Sequence, residues 1–124
     1  MNLFVSEQAD QFMVGHAQAS YYRELLEAGV RIWLYPKPFV LHAKHFTIDE
    51  DVCVVGTSNM DMRSFALNYE MSVMFIHEEV TRQVIEVAEG YLELSRELTL
   101  EQWRERSFGT RFVDNAMRLT ATVQ

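Results

Sequence analysis

Positive charge, cysteine and long apolar runs are all scarce in this sequence of 124 residues. Two lysines and a net charge of −7 argue against non-specific nucleic-acid binding as the main role, because such binding needs clustered cations to neutralise phosphates. The single cysteine, Cys53, excludes an intrachain disulfide and is predicted to be a buried thiol in a reducing compartment. No run of about 18 apolar residues and no signal peptide is recognisable, so we expect any membrane anchor to lie outside this sequence.

Hydrophobic patterning predicts a folded α/β protein. Apolar residues make up 48% of the sequence, which suffices for a core, and the length predicts one domain over residues 1–124. Apolar residues spaced three and four apart predict helices over 14–28, stopping at Gly29, and over 78–94. Alternation predicts a strand over 30–35, and helices interleaved with strands indicate the α/β class.

Further helices are predicted near the C-terminus. The stretch from Thr99 to Gln102 matches a capping box that begins a helix around Trp103, and an apolar edge predicts another helix over 108–119. We expect Trp103, Phe108 and Phe112 to pack on the core. The alternative is that they lie at a membrane interface.

The stretch from residue 41 to residue 70 carries the residue types of a phosphate-ester site. If 42–48 forms a strand, His42 and Lys44 share one face, and His45 points to the other. A lysine ammonium can hold an anionic oxygen while an imidazole nitrogen attacks the centre that bears it. The pair therefore suits chemistry at phosphorus.

Polar residues downstream can complete such a site. Thr57 and Asn59 follow Gly56, which allows close approach of the backbone, and they supply donors for phosphate oxygens. A nucleophilic histidine also needs its second ring nitrogen held, usually by a carboxylate. Glu70, which opens an apolar strand over 71–76, is the candidate for that role.

Structural interpretations compete with each chemical one. A single histidine in a strand is more often an ordinary core or surface residue than a catalyst. A metal site of His42, His45 and Asp49 is disfavoured, because alternation separates the histidines and Lys44 would repel a cation. Asp49 also begins a predicted hairpin turn, which favours a structural role for it.

The order and spacing of these residues match a known family. The pattern H-x-K-x4-D at His42, Lys44 and Asp49, followed by G-T-x-N, resembles the HKD motif of the phospholipase D superfamily. The extension D-x-R-S-F-x-L-N-x-E, from Asp61 to Glu70, resembles the second HKD half of bacterial cardiolipin synthases.

The resemblance implies a fold and a domain organisation. The expected fold is a mixed β-sheet flanked by helices on both faces, as in a phospholipase D-like half-domain that is truncated at its N-terminus. Family members carry two HKD motifs and form the active site between the two halves. This sequence has one motif, so it is interpreted as a C-terminal fragment of a longer enzyme.

The resemblance also implies a reaction. Cardiolipin synthases of this type transfer a phosphatidyl group between two phosphatidylglycerol molecules through a phosphohistidine and release glycerol. His42 would be either the nucleophile or the general acid–base. Lys44 and Asn59 would hold the phosphoryl oxygens, assisted by Thr57, and Glu70 would orient His42. No cofactor and no metal are expected.

Remaining expectations concern contacts and location. Arg63 is a candidate phosphate contact, with a structural salt bridge as the alternative. The expected partners are phosphatidylglycerol, the other HKD half (in the same polypeptide or as a homodimer) and a membrane surface, without nucleic acid. The expected location is the cytoplasmic face of the bacterial inner membrane. The alternatives are a homodimeric phosphodiesterase or nuclease, and a catalytically incomplete fragment.

Overall fold

The computed structural model describes residues 1–8, 16, 18–105 and 116, without the side chains of Met62 and Arg63. Its helices and strands, in chain order, are β1 (Asn2–Ser6), α1 (Tyr22–Glu27), β2 (Arg31–Tyr35), β3 (His45–Ile48), β4 (Val52–Gly56), α2 (Met62–Ala66), β5 (Ser72–Ile76), α3 (Glu78–Leu94), β6 (Arg96–Leu98) and α4 (Leu100–Arg104). One mixed sheet and one antiparallel sheet, together with the helices, confirm the α/β class.

The chain divides into two compact units, and each contains one three-stranded sheet. The first unit consists of Met1–Leu41 together with Leu94–Gln124, and the second is His42–Glu93. The single domain over residues 1–124 stays a prediction.

A mixed sheet forms the centre of the first unit. β2 pairs in parallel with β1 and in antiparallel fashion with β6. Side chains alternate along β2, so Ile32 and Leu34 are buried while Arg31 remains exposed. The core around these two residues contains Val5, Tyr22, Leu98 and Trp103.

The helices of this unit begin and end as their local sequences dictate. Gly29, just after α1, has φ 82°, a left-handed conformation that glycine adopts without steric cost. The Thr99 hydroxyl oxygen accepts a hydrogen bond from the backbone N–H of Gln102. The side-chain oxygen of Gln102 accepts one from the backbone N–H of Thr99, so the predicted capping box is confirmed. It directs Trp103 into the core, where its ring centroid lies 5.4 Å from that of Tyr22.

Two of the predicted helices are only partly described. Within 14–28, residues 16, 18 and 19 are helical, a turn follows, and α1 then runs from Tyr22 to Glu27. Almost all of the predicted helix over 108–119 lies outside the described residues, as do Phe108 and Phe112.

An antiparallel sheet, the short helix α2 and the long helix α3 form the second unit. The strand order is β3-β4-β5, and Thr47, Cys53 and Phe75 lie side by side in the register. The Cys53 thiol is fully buried, as predicted. The helix α3 has the predicted bounds, Glu78–Leu94.

The two faces of this sheet differ. His45 and Val55 face α3 and line one groove with Val80, Val84 and Val87 of that helix. The opposite face carries large apolar side chains that remain exposed, namely Phe46, Ile48, Met74 and Ile76.

Candidate functional site

His42 and Lys44 precede β3 instead of belonging to it. The predicted strand over 42–48 is therefore wrong at its start, since β3 begins at His45. The physical reason is the loss of a partner strand. β4 ends at Gly56, whose N–H donates to the Lys44 carbonyl over 3.0 Å, so no residue of β4 lies beyond that point to pair with residues 42 and 43.

A local contact, and not strand alternation, ties the lysine to the histidine. The Lys44 ammonium donates a hydrogen bond of 2.8 Å to the backbone carbonyl of His42. Lys44 is half-buried and the His42 side chain is exposed. This contact fixes the ammonium at the His42 backbone, and the exposed His42 side chain is accessible to a substrate.

Thr57 joins the end of β4 to the start of β5. Its N–H donates to the Met71 carbonyl at 3.0 Å, and the Met71 N–H donates to the Thr57 hydroxyl oxygen at 3.1 Å. The hydroxyl donates to Glu70 Oε2 at 2.6 Å. Thr57 therefore supports the carboxylate, and a contact between Thr57 and the substrate stays a prediction.

Close approach of two strands makes this junction possible. At Gly56 an added Cβ would lie 2.6 Å from the Met71 carbonyl oxygen and 2.8 Å from the Ser72 Cα. Both are backbone atoms with little freedom to move, so glycine is required at this position.

The loop that contains Asn59 leads into α2, and the serine in this helix, Ser64, is buried. Ser64 is 8% exposed, and its N–H donates to Asp61 Oδ1 at 2.8 Å, which is a helix-capping contact. The Asn59 N–H donates to the Ser64 hydroxyl oxygen at 3.0 Å. The same hydroxyl donates to Glu70 Oε1 at 2.9 Å.

Both oxygens of the Glu70 carboxylate accept hydrogen bonds. Oε2 accepts from Thr57, and Oε1 accepts from Ser64 and, at 3.3 Å, from the Asn68 amide. The bonds from Thr57 and Ser64 lower the pKa of Glu70 from its ordinary value, burial opposes them, and the Lys44 charge adds to the lowering. Glu70 is therefore ionised at neutral pH.

The structure brings together part of the predicted constellation. Thr57, the Asn59 backbone and Glu70 share one hydrogen-bonded network, and Lys44 acts on Glu70 through its charge. Within the described part of the chain, no hydrogen bond joins Glu70 to His42. That Glu70 orients His42, and that Asn59 holds phosphoryl oxygens, stay predictions.

Asp49 lies apart from these residues. It begins the turn between β3 and β4 and has φ 52°, in the left-handed region that aspartate tolerates better than most residues. The four residues of β3 separate it from Lys44, which is roughly 16 Å at the usual rise of a strand. The predicted turn is confirmed, and a catalytic role for Asp49 stays a prediction. The Arg63 side chain lies outside the described residues.

His45 packs against the long helix. It lies in the groove with Val80, Val84 and Val87, and its ring centroid is 6.0 Å from that of Tyr91. Burial lowers the pKa of this imidazole, so the neutral form is favoured. Among the described residues, no group of three or more His, Cys, Asp or Glu is arranged to hold a metal ion.

Sequence reasoning overlooked the central role of Ser64. The residue appeared only as a letter of the D-x-R-S-F pattern, and its position three residues after Asp61 is the signal of a capped helix start. That spacing predicts the backbone contact with Asp61. It does not predict that the hydroxyl reaches Glu70, since this contact depends on where β5 begins.

Comparison with known proteins shows one consistent similarity. Residues 2–92 match the family described as "Cardiolipin synthase, PLD-like domain". Cardiolipin synthase 2 of Bacillus anthracis is 36% identical over 119 residues, which cover 96% of this chain and 23% of that protein. A cardiolipin synthase of Clostridium perfringens (strain SM101) is 40% identical over 102 residues, or 82% of this chain and 21% of that protein.

The similarity extends to further relatives and stays partial in the same way. The cardiolipin synthase of Halalkalibacterium halodurans is 35% identical over 119 residues, which cover 96% of this chain and 24% of that protein. The chain thus spans about a quarter of the length of the curated relatives that it matches. Within the described residues, no helix has the length and apolarity needed to span a membrane.

Proposed function

The chain belongs to the family of cardiolipin synthase phospholipase D-like domains, and from that premise we propose that it is the second catalytic half of a phosphatidyltransferase. The observation that carries the proposal is the cluster at the β4–β5 junction. An ionised Glu70, held by Thr57 and Ser64, lies within electrostatic reach of Lys44, whose ammonium contacts His42.

In the proposed reaction two phosphatidylglycerol molecules react in two displacements. A histidine nitrogen attacks phosphorus, a P–N bond forms, and the P–O bond to glycerol breaks as a second histidine protonates the leaving oxygen. That second histidine then takes the proton of a hydroxyl on another phosphatidylglycerol. The new oxygen attacks phosphorus, the P–N bond breaks, and cardiolipin is the product.

The residues of this chain supply one half of that machinery. His42 is one of the two histidines, and its counterpart comes from the other HKD half. The Lys44 ammonium and an Asn59 donor hold the non-bridging oxygens, which bear charge as the transition state develops. Glu70 stabilises the charge on His42 when its imidazole is protonated or bonded to phosphorus. No step in this scheme needs a metal or a cofactor.

The substrate implies a location for the reaction. Phosphatidylglycerol is a membrane lipid, so the complete enzyme would work at a membrane surface, and we propose the cytoplasmic face of the bacterial inner membrane. The other half would come from the same polypeptide or from a second copy of the chain.

The experiment uses the complete two-motif enzyme that carries this chain. Incubation with phosphatidylglycerol vesicles, followed by chromatography, is expected to show cardiolipin and glycerol in equal amounts. The His42→Ala variant is expected to form neither product, because it lacks the nucleophile or the acid–base group. Formation of phosphatidic acid without cardiolipin would contradict the transferase activity and indicate a phosphodiesterase. Full activity of His42→Ala would overturn the site.

The 124-residue chain alone supplies the companion test. A single HKD motif provides one histidine where the reaction needs two, so a demonstrated monomer is expected to make no cardiolipin. Robust turnover by that monomer would contradict the two-half mechanism.

A further inference from the structure

The Ser64 hydroxyl bonds two parts of the candidate site, and the proposed reaction assigns it no role. It is buried, it accepts from the Asn59 backbone N–H, and it donates to the Glu70 carboxylate. One oxygen atom therefore connects the loop that carries a candidate phosphate contact with the candidate orienting carboxylate. A serine hydroxyl has one proton, so these two bonds fix the direction of both.

We propose that Ser64 is a positioning residue that sets the site by holding the Asn59 loop and the Glu70 carboxylate in a fixed relation. The proposal rests on the proposed function for its catalytic consequence, but its geometric part stands without it. Ser64 itself does not touch the reacting atoms. It acts through Asn59 and through Glu70.

The backbone of Ser64 is held independently of its side chain. Its N–H donates to Asp61 Oδ1 at 2.8 Å, which anchors the first turn of α2. Removing the hydroxyl therefore leaves that contact in place, and the loss falls on two specific groups. The Asn59 N–H loses its acceptor, and among the described residues Glu70 Oε1 keeps the longer bond from Asn68 at 3.3 Å.

The electrostatic consequence has a definite sign. Hydrogen bonds donated to a carboxylate favour its charged form, so loss of the Ser64 bond raises the pKa of Glu70 toward its ordinary value. The Lys44 charge also lowers the pKa of Glu70, and the other two side-chain donors that lower it, Thr57 and Asn68, are uncharged. The substitution changes none of these three.

The chain offers a matched control in the loop that carries Asn59. Ser58 is also a serine, but its hydroxyl donates to the Asn59 carbonyl at 3.3 Å and makes no hydrogen bond to Glu70. Ser58→Ala therefore removes the same chemical group from a residue next to Asn59 without removing a hydrogen bond to the carboxylate. Ser64→Thr restores a hydroxyl and serves as the conservative variant.

The test has one readout that needs no catalysis. NMR titration of the Glu70 carboxyl carbon in the 124-residue chain is expected to show a higher pKa in Ser64→Ala than in the parent. Ser58→Ala is expected to match the parent, and Ser64→Thr to lie closer to the parent than Ser64→Ala does. The Asn59 amide resonance is expected to shift in Ser64→Ala. An unchanged Glu70 pKa together with an unchanged Asn59 amide would overturn the proposal.

A second readout uses the complete enzyme. Ser64→Ala is expected to lower kcat about 10- to 100-fold with little change in KM, by analogy with the loss of a residue that orients a metal ligand. The acidic limb of its pH–rate profile is expected to move to higher pH, because Glu70 must be ionised. An equal kcat for parent and Ser64→Ala would refute the catalytic consequence. If instead no variant or parent makes cardiolipin, the proposed function fails, and the Glu70 titration still decides the role of Ser64.

Discussion

Replacement of Gly56 by alanine is the sharpest test of how the site is built. Gly56 pairs with Ser72 at the end of the β4–β5 ladder, directly before Thr57. The new Cβ would lie 2.6 Å from the Met71 carbonyl oxygen. That same oxygen accepts from the Thr57 N–H, so the clash occurs inside the junction that supports Glu70.

The size of the effect follows from the distances. The Met71 oxygen must retreat by about 0.4 Å to reach 3.0 Å and by about 0.8 Å to reach an ordinary contact of 3.4 Å. Backbone shifts forced by an added methyl group typically cost about 1–3 kcal/mol. For a chain of this length, that lowers Tm by on the order of 5–15 °C. The shift also displaces Thr57 and weakens its 2.6 Å bond to Glu70.

Gly90 provides the matched control for this substitution. It lies inside α3, and an added Cβ there meets no atom within 4 Å. Gly90→Ala is therefore expected to raise the free energy of unfolding by roughly 0.5–1 kcal/mol, because alanine favours a helix more than glycine does. Thermal unfolding of the parent and both variants, followed by circular dichroism, measures both effects. If Gly56→Ala unfolds at or above the parent temperature, the close approach of β4 and β5 is refuted.

Two further predictions concern the turn and the groove. Asp49→Val is expected to lower the free energy of unfolding by about 1–2 kcal/mol, because a β-branched residue is strained at φ 52°; Asp49→Gly is the control, and equal Tm values for the two would contradict the argument. Burial lowers the pKa of His45 in the folded chain, so its contribution to stability is present above the unfolded value of about 6.5 and is lost as pH falls through the folded value. Tm is measured at about pH 7.5, above the unfolded pKa of about 6.5, and at about pH 5, below it. The difference between these two Tm values is expected to be smaller in His45→Leu than in the parent; an equal difference would refute the buried, neutral imidazole.

The elements that the sequence predicted well depend on local chemistry. α3 shows a sustained apolar stripe from Val80 to Tyr91, and periodicity of that length is a strong helix signal. Gly29 and the Thr99 capping box are local as well, since each acts within one helical turn.

The elements that the sequence did not predict depend on distant partners. β6 has three residues, too few for an alternating pattern, and it exists because Leu98 pairs with Ile32 across the sheet. The start of β3 is set in the same way by the end of β4 at Gly56. Propensity within a short window carries no information about either pairing.

In the candidate site, too, the residue types follow from local sequence and the contacts between them depend on distant partners. Spacing within the motif predicts that His42, Lys44, Asn59 and Glu70 take part in one kind of chemistry. The network that joins two of them runs through Ser64, which contacts Asn59 and Glu70 across a loop and a short helix. Such a contact follows from the folded path of the chain and not from residue type.

The most direct test of the central claim is the rate of cardiolipin formation by Glu70→Gln in the complete enzyme. Glutamine keeps the shape of the side chain and removes the negative charge that would stabilise the His42 imidazolium. Loss of an orienting carboxylate costs up to roughly 10⁴-fold in kcat in the serine-protease comparison. We expect a loss of at least about 100-fold with a Tm close to that of the parent. Turnover equal to that of the parent would contradict the assignment of Glu70 and with it the account of the site.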